Sequence, residues 1–467
     1  MKINIKFLIC GIFLGFIPEL TNLNSQLDFN SKIVLGMTLV MIFLWVTEAI
    51  PNSITAFIPI IISPILIDIS LKNILSKYAS PVVFLLLGGF LLASGFEKSN
   101  LHKRLALKSI ILFGSTKKKL LLCSIFSTAF FSMWLSNTAT CLLMLPIIKF
   151  LVDNSLNQKE DEYFSKTLLL SVAYASSIGG MMTPIGTIPN AILVGFLNEN
   201  YNIQINFIDW FIYVSPLAFI ILFCLWFYFS IKIRANHKKI NQVLITKKYL
   251  ELGNFSIAEK ITSVILIFTA FLWILKSKIN EMLGVSLTDS GIAIMCASLF
   301  FIIPVDKKFT VLLSFDWFKN IPWNVLILFG GGLSMAALIV NTGLAKDISE
   351  NLIFIKNYEI FIVILVLAFF TSVLTEFTSN TATTFLFLPL FATFAVESNL
   401  DVIQITIPIV LAASCAFMMP ISTPPNAIVY STNKFNIMFM VKMGVILNIL
   451  SIVLISFYTN FFNLNLF

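Results

Sequence analysis

The sequence predicts an all-α polytopic membrane protein with about eleven transmembrane helices and two re-entrant hairpins, arranged as inverted repeats. Three observations carry this. Hydrophobic residues make up 58% of the 467-residue chain and charged residues 12%, with mean hydropathy +0.94, a balance foreign to soluble proteins of this length. Apolar stretches of about 20 residues, enough to cross a bilayer as a helix, recur along the chain. One polar pentapeptide, Ser-Asn-Thr-Ala-Thr, occurs twice inside such stretches, at Ser136 to Thr140 and at Ser379 to Thr383.

The stretches fall near residues 5–21, 33–50, 53–69, 80–97, 165–181, 208–231, 261–276, 287–304, 323–340, 403–419 and 436–459. The first follows Met1-Lys2 and shows no small-residue cleavage site after Gly15-Phe16-Ile17-Pro18, so it reads as a retained span. Two further stretches, 119–151 and 359–397, hold the pentapeptides at their middles. Polar backbone at that depth is tolerated only inside protein or beside an aqueous cavity. Both therefore read as hairpins that return to the side they entered.

Loop charges orient the chain, because lysine and arginine collect on the cytoplasmic side. The 98–119 loop carries Lys98, Lys103, Arg104, Lys108, Lys117, Lys118 and Lys119; the 232–260 loop carries Lys232, Arg234, Lys238, Lys239, Lys247, Lys248 and Lys260. Together with Lys307 and Lys308, they stay on one side only if 119–151 is a hairpin. The N-terminus is then cytoplasmic, the C-terminus outside, and the expected location the inner (cytoplasmic) membrane. A net charge of +8 is explained by these topology determinants, with no nucleic-acid partner.

Duplication extends beyond the pentapeptides. Pro146 and Pro389 each follow the motif threonine, Thr138 or Thr381, by eight residues. Gly89 precedes Asn137 by 48 residues and Gly331 precedes Asn380 by 49. Further on, Gly186-Thr187-Ile188-Pro189-Asn190 pairs with Ser422-Thr423-Pro424-Pro425-Asn426, where proline and glycine interrupt a span. An odd number of crossings between the copies gives them opposite orientations.

A hairpin tip or a broken helix leaves carbonyls unpaired at one helix end and amides unpaired at the next helix start. Carbonyls with Asn, Ser and Thr oxygens suit a hard monovalent cation such as sodium, and helix N-termini suit an anion. No lysine or arginine lies within the four motifs. The six cysteines lie in apolar segments without metal or redox spacing and read as packing residues. Both histidines, His102 and His237, fall in basic loops. No buried His with an acid partner, Asp pair or activated serine supports an enzyme, and no cofactor is expected. Two acidic residues lie in or at the ends of apolar stretches, Glu48 and Glu376. Glu376 is expected to face away from a bound anion and either to tune the cation site, to carry a proton or to serve a structural role.

These residues, with Trp45-Val46-Thr47-Glu48-Ala49-Ile50-Pro51, resemble the divalent anion/sodium symporter family of dicarboxylate, tricarboxylate and sulfate carriers over nearly the whole chain. The resemblance implies a first sodium site of Ser132, the Leu135 carbonyl, Ser136, Asn137 and Gly186. It implies a second of Thr375, the Thr378 carbonyl, Ser379, Asn380 and Ser422. Substrate carboxylates would meet Asn137, Thr138, Thr187, Asn380, Thr381, Thr423 and Pro424. Ile188 departs from the pattern, standing where the first repeat of the family usually has proline, which puts the shape of the pocket beside Thr187 in question.

The resemblance further implies an elevator-type homodimer. Residues 1–97 and 260–340 would form its scaffold, 98–117 and 341–356 interfacial arms, 118–232 and 357–467 the moving unit, and 233–259 a cytoplasmic loop. The function expected is sodium-coupled symport of a C4 dicarboxylate such as succinate, malate or fumarate. The alternatives are a sulfate or tricarboxylate symporter, a sodium-independent exchanger and, remotely, a non-transporting sensor.

Overall fold

A computed structural model describes residues 5–20, 27–67, 69–155, 161–233, 243–350 and 358–462. These residues are helical almost throughout; one isolated antiparallel bridge, Pro304 with Val311, is the β pairing among them. Seven helices among them are long and apolar enough to cross a membrane: Phe29–Thr47, Leu71–Lys98, Phe207–Ser230, Ile257–Leu283, Trp323–Asn341, Ile360–Phe377 and Ile437–Phe461. Shorter apolar helices cover Asn52–Ile67, Asp289–Phe301 and Val402–Ala413.

Several apolar stretches are not the single helices their composition suggests. The 53–69 stretch divides into Asn52–Thr55, Ile58–Ile62 and a π-helical turn Ser63–Ile67. Pro59 and Pro64 remove the amides that one continuous ladder would need. The 403–419 stretch is α-helical only over Val402–Ala413, and the backbone beyond it is unwound.

The duplication is visible as a repeated order of elements. In the first copy Pro81–Lys98 leads to an arm helix Leu101–Phe113, a hairpin of Lys117–Ser132 and Asn137–Ser155, a broken pair Glu162–Gly180 and Ile188–Tyr201, then Phe207–Ser230. In the second, Trp323–Asn341 leads to Leu344–Glu350, a hairpin of Ile360–Phe377 and Asn380–Glu397, a broken pair Val402–Ala413 and Pro424–Tyr430, then Ile437–Phe461. The outbound helix of each hairpin packs on the post-break helix of the other copy: Asn137–Ser155 on Pro424–Tyr430, and Asn380–Glu397 on Ile188–Tyr201. Reciprocal exchange of this kind is what a two-fold axis between the copies produces.

The first basic loop also differs from expectation. His102 and Arg104 lie on the arm helix and are buried, at 3% and 6% exposure, rather than in a solvated loop. Burial is possible because each finds partners. His102 Nδ1 lies 3.2 Å from the Phe96 carbonyl. Arg104 pairs with Glu259 at 2.6 Å and donates to the carbonyls of Leu252, Gly253 and Asn254. Glu259 in turn closes a capping box with Ser256 at the start of Ile257–Leu283, so the arm is pinned to that helix. His237, Arg234, Lys238 and Lys239 lie outside the described residues.

Candidate functional site

Each tip is a helix stop and start separated by a few residues. The first hairpin leaves its helix at Ser132, turns through Met133 to Ser136 and restarts at Asn137. Ser136 Oγ accepts from the Ala139 amide at 3.3 Å, and in the second tip Ser379 Oγ accepts from Ala382 at 3.1 Å. Both serines, expected among the sodium ligands, thus serve as N-caps, which their short side chains favour. No described group donates to the Leu135 or Thr378 carbonyl, so both expected acceptors are free.

Asparagine stands at the centre of each tip. Ser132 Oγ lies 2.9 Å from Asn137 Oδ1 and 2.6 Å from the Ser176 carbonyl; Thr375 Oγ1 lies 2.7 Å from Asn380 Oδ1 and 3.0 Å from the Ala413 carbonyl. The same hydroxyl, amide and broken-helix carbonyl therefore meet in both halves. Around Asn137 the set is acceptor-rich, since Oδ1 is 2.9 Å from Ser176 O and 3.2 Å from Gly186 O. Clustered oxygens repel unless a donor or a cation joins them. A rotated Asn137 amide supplies the donor, and a sodium ion would supply the charge with Oδ1 facing inward.

Gly180 and Gly186 keep this space open. A Cβ on Gly180 would stand 2.2 Å from Asn137 Oδ1, and one on Gly186 2.5 Å from Gly180 O and 2.8 Å from Ser132 O. Sequence reasoning named Gly186 but missed Gly180 and Ser176. The Gly179-Gly180 pair just before the break was the available signal.

The breaks are braced by matched asparagines. Asn190 Nδ2 reaches the carbonyls of Gly180, Met181 and Thr183 at 3.3, 2.9 and 2.8 Å. Asn426 Nδ2 reaches those of Ala416 and Met419 and the Ser422 hydroxyl at 3.0, 3.1 and 3.1 Å. Ser422 also donates to Met419 O at 2.7 Å. The threonines that begin the post-break helices share one backbone conformation: φ −136°, ψ 144° at Thr187 and φ −140°, ψ 147° at Thr423. With Ile188 after it, Thr187 thus keeps the backbone conformation that Thr423 has before Pro424. Thr423 Oγ1 accepts from Asn426 N at 3.3 Å. The hydroxyls of Thr138, Thr187 and Thr381 make no hydrogen bond among the described residues, and Pro424 is exposed at its helix start.

Glu376 has a defined position. It is fully buried and accepts the amides of Phe417, Met418 and Met419 at 2.7, 2.9 and 2.9 Å, with Asn448 Nδ2 at 2.7 Å. The carboxylate holds the unwound segment between Ala413 and Pro424, and its lone pairs are directed there. Glu48 instead is an exposed left-handed C-cap, φ 48°. Contacts join the two halves: Tyr174 OH donates to Phe417 O at 2.6 Å and Cys141 Sγ lies 3.6 Å from Pro425 O.

Each tip therefore packs against its own break, and each outbound hairpin helix packs on the post-break helix of the other copy. The sequence model of the sodium:sulfate symporter transmembrane region matches residues 3–467. This chain belongs to the sodium:sulfate symporter family. Members of that family are transporters rather than enzymes, and the motif resemblance agrees with the match. Similar relatives include the sodium-dependent dicarboxylate transporter SdcS of Staphylococcus saprophyticus, 36% identical over 462 residues that cover 96% of this chain and 89% of SdcS. SdcS of Staphylococcus aureus strain USA300 is 36% identical over 463 residues, 95% of this chain and 89% of that protein. Among solved structures, the YdaH transporter of Alcanivorax borkumensis superposes with a TM-score of 0.59 at 12% identity, covering 83% of this chain and 87% of that one. MtrF of Neisseria gonorrhoeae gives 0.54 at 12% identity over 97% of each chain. These two show that this symporter-family chain shares their fold.

Proposed function

We propose that the protein is a sodium-coupled symporter that imports C4 dicarboxylates across the inner membrane. The observation that carries this reading is the oxygen cluster built twice around an asparagine, at Asn137 and Asn380, in a chain 36% identical over nearly its full length to sodium-dependent dicarboxylate transporters. Sodium is a transported ion here. In the first half its ligands are Ser132, Asn137 and the carbonyls of Leu135 and Gly186; in the second they are Thr375, Asn380, Ser422 and the Thr378 carbonyl. The free hydroxyls of Thr138, Thr187 and Thr381, with the amides at the helix starts, hold the substrate carboxylates. Thr423 and Pro424 shape the pocket wall.

With no arginine or lysine in these motifs, sodium supplies the positive charge that the dianion needs. Each ligand then raises the affinity of the other by the same factor, on the order of 1–3 kcal/mol. Alternation follows from moving residues 118–232 and 357–467 against a scaffold of 1–97 and 260–340, in a homodimer with its N-terminus cytoplasmic and its C-terminus outside. Polar contacts bridge those parts. Lys77 pairs with Glu199 at 2.6 Å. Lys276 pairs with Asp289 at 2.7 Å and donates to Asn206 Oδ1 at 2.6 Å, while Asp289 Oδ2 accepts from Phe207 N at 2.8 Å. Each stroke has to break and remake the Lys77–Glu199, Lys276–Asn206 and Phe207–Asp289 contacts, while the Lys276–Asp289 pair stays within the scaffold.

Radiolabelled succinate uptake into proteoliposomes, under an inward sodium or potassium gradient and with unlabelled sulfate or citrate as competitors, tests the reading. Concentrative uptake with sodium alone, resistant to sulfate and citrate, is expected. Uptake indifferent to sodium and driven by internal dicarboxylate would make the protein an exchanger, and preferential sulfate or citrate uptake would replace the substrate.

A further inference from the structure

The arm helix Leu101–Phe113 and the inbound hairpin helix Lys117–Ser132 do not close on each other along their whole length. A cavity of about 620 Å³ lies between them, lined by Leu105, Leu112 and Phe113 on the arm and by Phe126 and Phe130 on the hairpin, with Lys119 at one end. Leu112, Phe113 and Phe130 are exposed. The polar groups of the floor satisfy each other, Ser109 and Ser127 hydroxyls meeting at 2.8 Å, so the groove offers an apolar surface.

Its dimensions and charge identify the occupant. From Lys119 to Phe130 the helix rises about 17 Å, roughly half of a hydrocarbon core about 30 Å thick. The groove is thus one leaflet deep, with its cationic end at the interface. Lys108, also exposed, stands three residues from Leu105 and four from Leu112 on the arm, hence on the same helix surface. Neither Lys108 nor Lys119 has an ion-pair partner among the described residues. In the first turn of the hairpin helix Lys117 is already paired with Asp161, whereas Lys118 and Lys119 have no ion-pair partner among the described residues and oppose the helix dipole. An anion placed there relieves both the dipole and the lysine repulsion.

We propose that this groove binds one anionic phospholipid, its phosphate at Lys119 and Lys108 and an acyl chain running inward to Phe130. The arm is fixed to Ile257–Leu283 through Arg104, whereas the hairpin carries Asn137. The lipid therefore sits between an anchored element and the element that bears the site. This rests on the membrane placement of the hairpin given above, and its test reads lipid binding rather than transport.

The experiment is native mass spectrometry of the full chain with phosphatidylglycerol or phosphatidylcholine of matched acyl chains, and with inorganic phosphate as competitor. One phosphatidylglycerol per chain should be retained in preference to phosphatidylcholine, and phosphate should not displace it. The preference should fall about fivefold for each lysine removed, so that the surface double variant Lys108→Gln/Lys119→Gln loses it. Ser127→Trp, which fills the floor, should release both lipids. Equal retention of the two lipids, an unchanged preference in the double variant or displacement by phosphate would overturn the proposal, as would a dimer mass carrying no lipid.

Discussion

The two half-sites solve one problem with different chemistry. In the first, the pre-break helix runs to Gly180, the Met181 and Met182 amides find the Ile178 and Gly179 carbonyls, and the Gly186 amide finds Thr183 Oγ1 at 3.0 Å. Neutral groups suffice. In the second, the helix stops at Ala413 and three successive amides need an acceptor, which Glu376 provides from the neighbouring hairpin helix. Methionine stands at the matching place in the first hairpin, since Met133 precedes Ser136 by three residues just as Glu376 precedes Ser379. The comparison teaches that duplicated motifs do not make duplicated sites: the second half carries a buried carboxylate beside its oxygen cluster, and its geometry depends on that group.

The largest expected effect falls on the tighter half. Gly186→Ala drives a methyl group into carbonyls 2.5 and 2.8 Å away, and strain of about 1–3 kcal/mol there should lower sodium-driven uptake by up to about a hundredfold in proteoliposomes. Uptake near wild type would break the assignment of the first half. Next comes Glu376→Gln. Hydrogen bonds to a charged acceptor contribute about 1.5–3 kcal/mol each, so earlier thermal unfolding and roughly tenfold weaker sodium activation are expected. If the variant unfolds and transports like wild type, the two halves are equivalent after all.

Two milder changes sharpen the contrast. Thr423→Val removes a helix cap, costing about 1 kcal/mol, and should lower the unfolding temperature. Thr187→Val removes a hydroxyl with no hydrogen-bond partner among the described residues, so stability should hold while KM for succinate rises about five- to tenfold. Equal stability losses would refute the division of labour. The smallest effect is expected from Ile188→Pro, because the backbone already matches that of the second copy and the first helical residue tolerates proline. Transport should stay within about twofold of wild type, and abolished uptake would mean that the Ile188 side chain itself shapes the pocket.

How much was legible in the sequence follows from the same physics. Polar residues in a long apolar run have few places to go, so the tips and breaks, with Asn137, Asn380, Thr187 and Thr423, were visible from composition and spacing. The elements with repeated order followed from the matched motifs. Glu376 was visible as a buried charge but its partners were not, because Phe417 to Met419 lie 41 to 43 residues away and expose their amides only where Val402–Ala413 unwinds. Ser176 and Gly180 escaped notice because they sit in a helix whose packing against the tip is tertiary. Arg104 and His102 looked like solvated loop residues since a basic run does not disclose that Glu259, from a distant helix, faces it. The 53–69 stretch kept the composition of a span although its prolines divide it.

Equilibrium binding of radioactive sodium to the purified protein, with and without succinate, in the wild type and in Asn137→Ala and Asn380→Ala, tests the pair of asparagine-centred sites most directly. Each variant should lose part of the bound sodium, and succinate should raise the sodium affinity of the wild type by about five- to 150-fold. Sodium binding unaltered in both variants, or indifferent to succinate, would contradict the account.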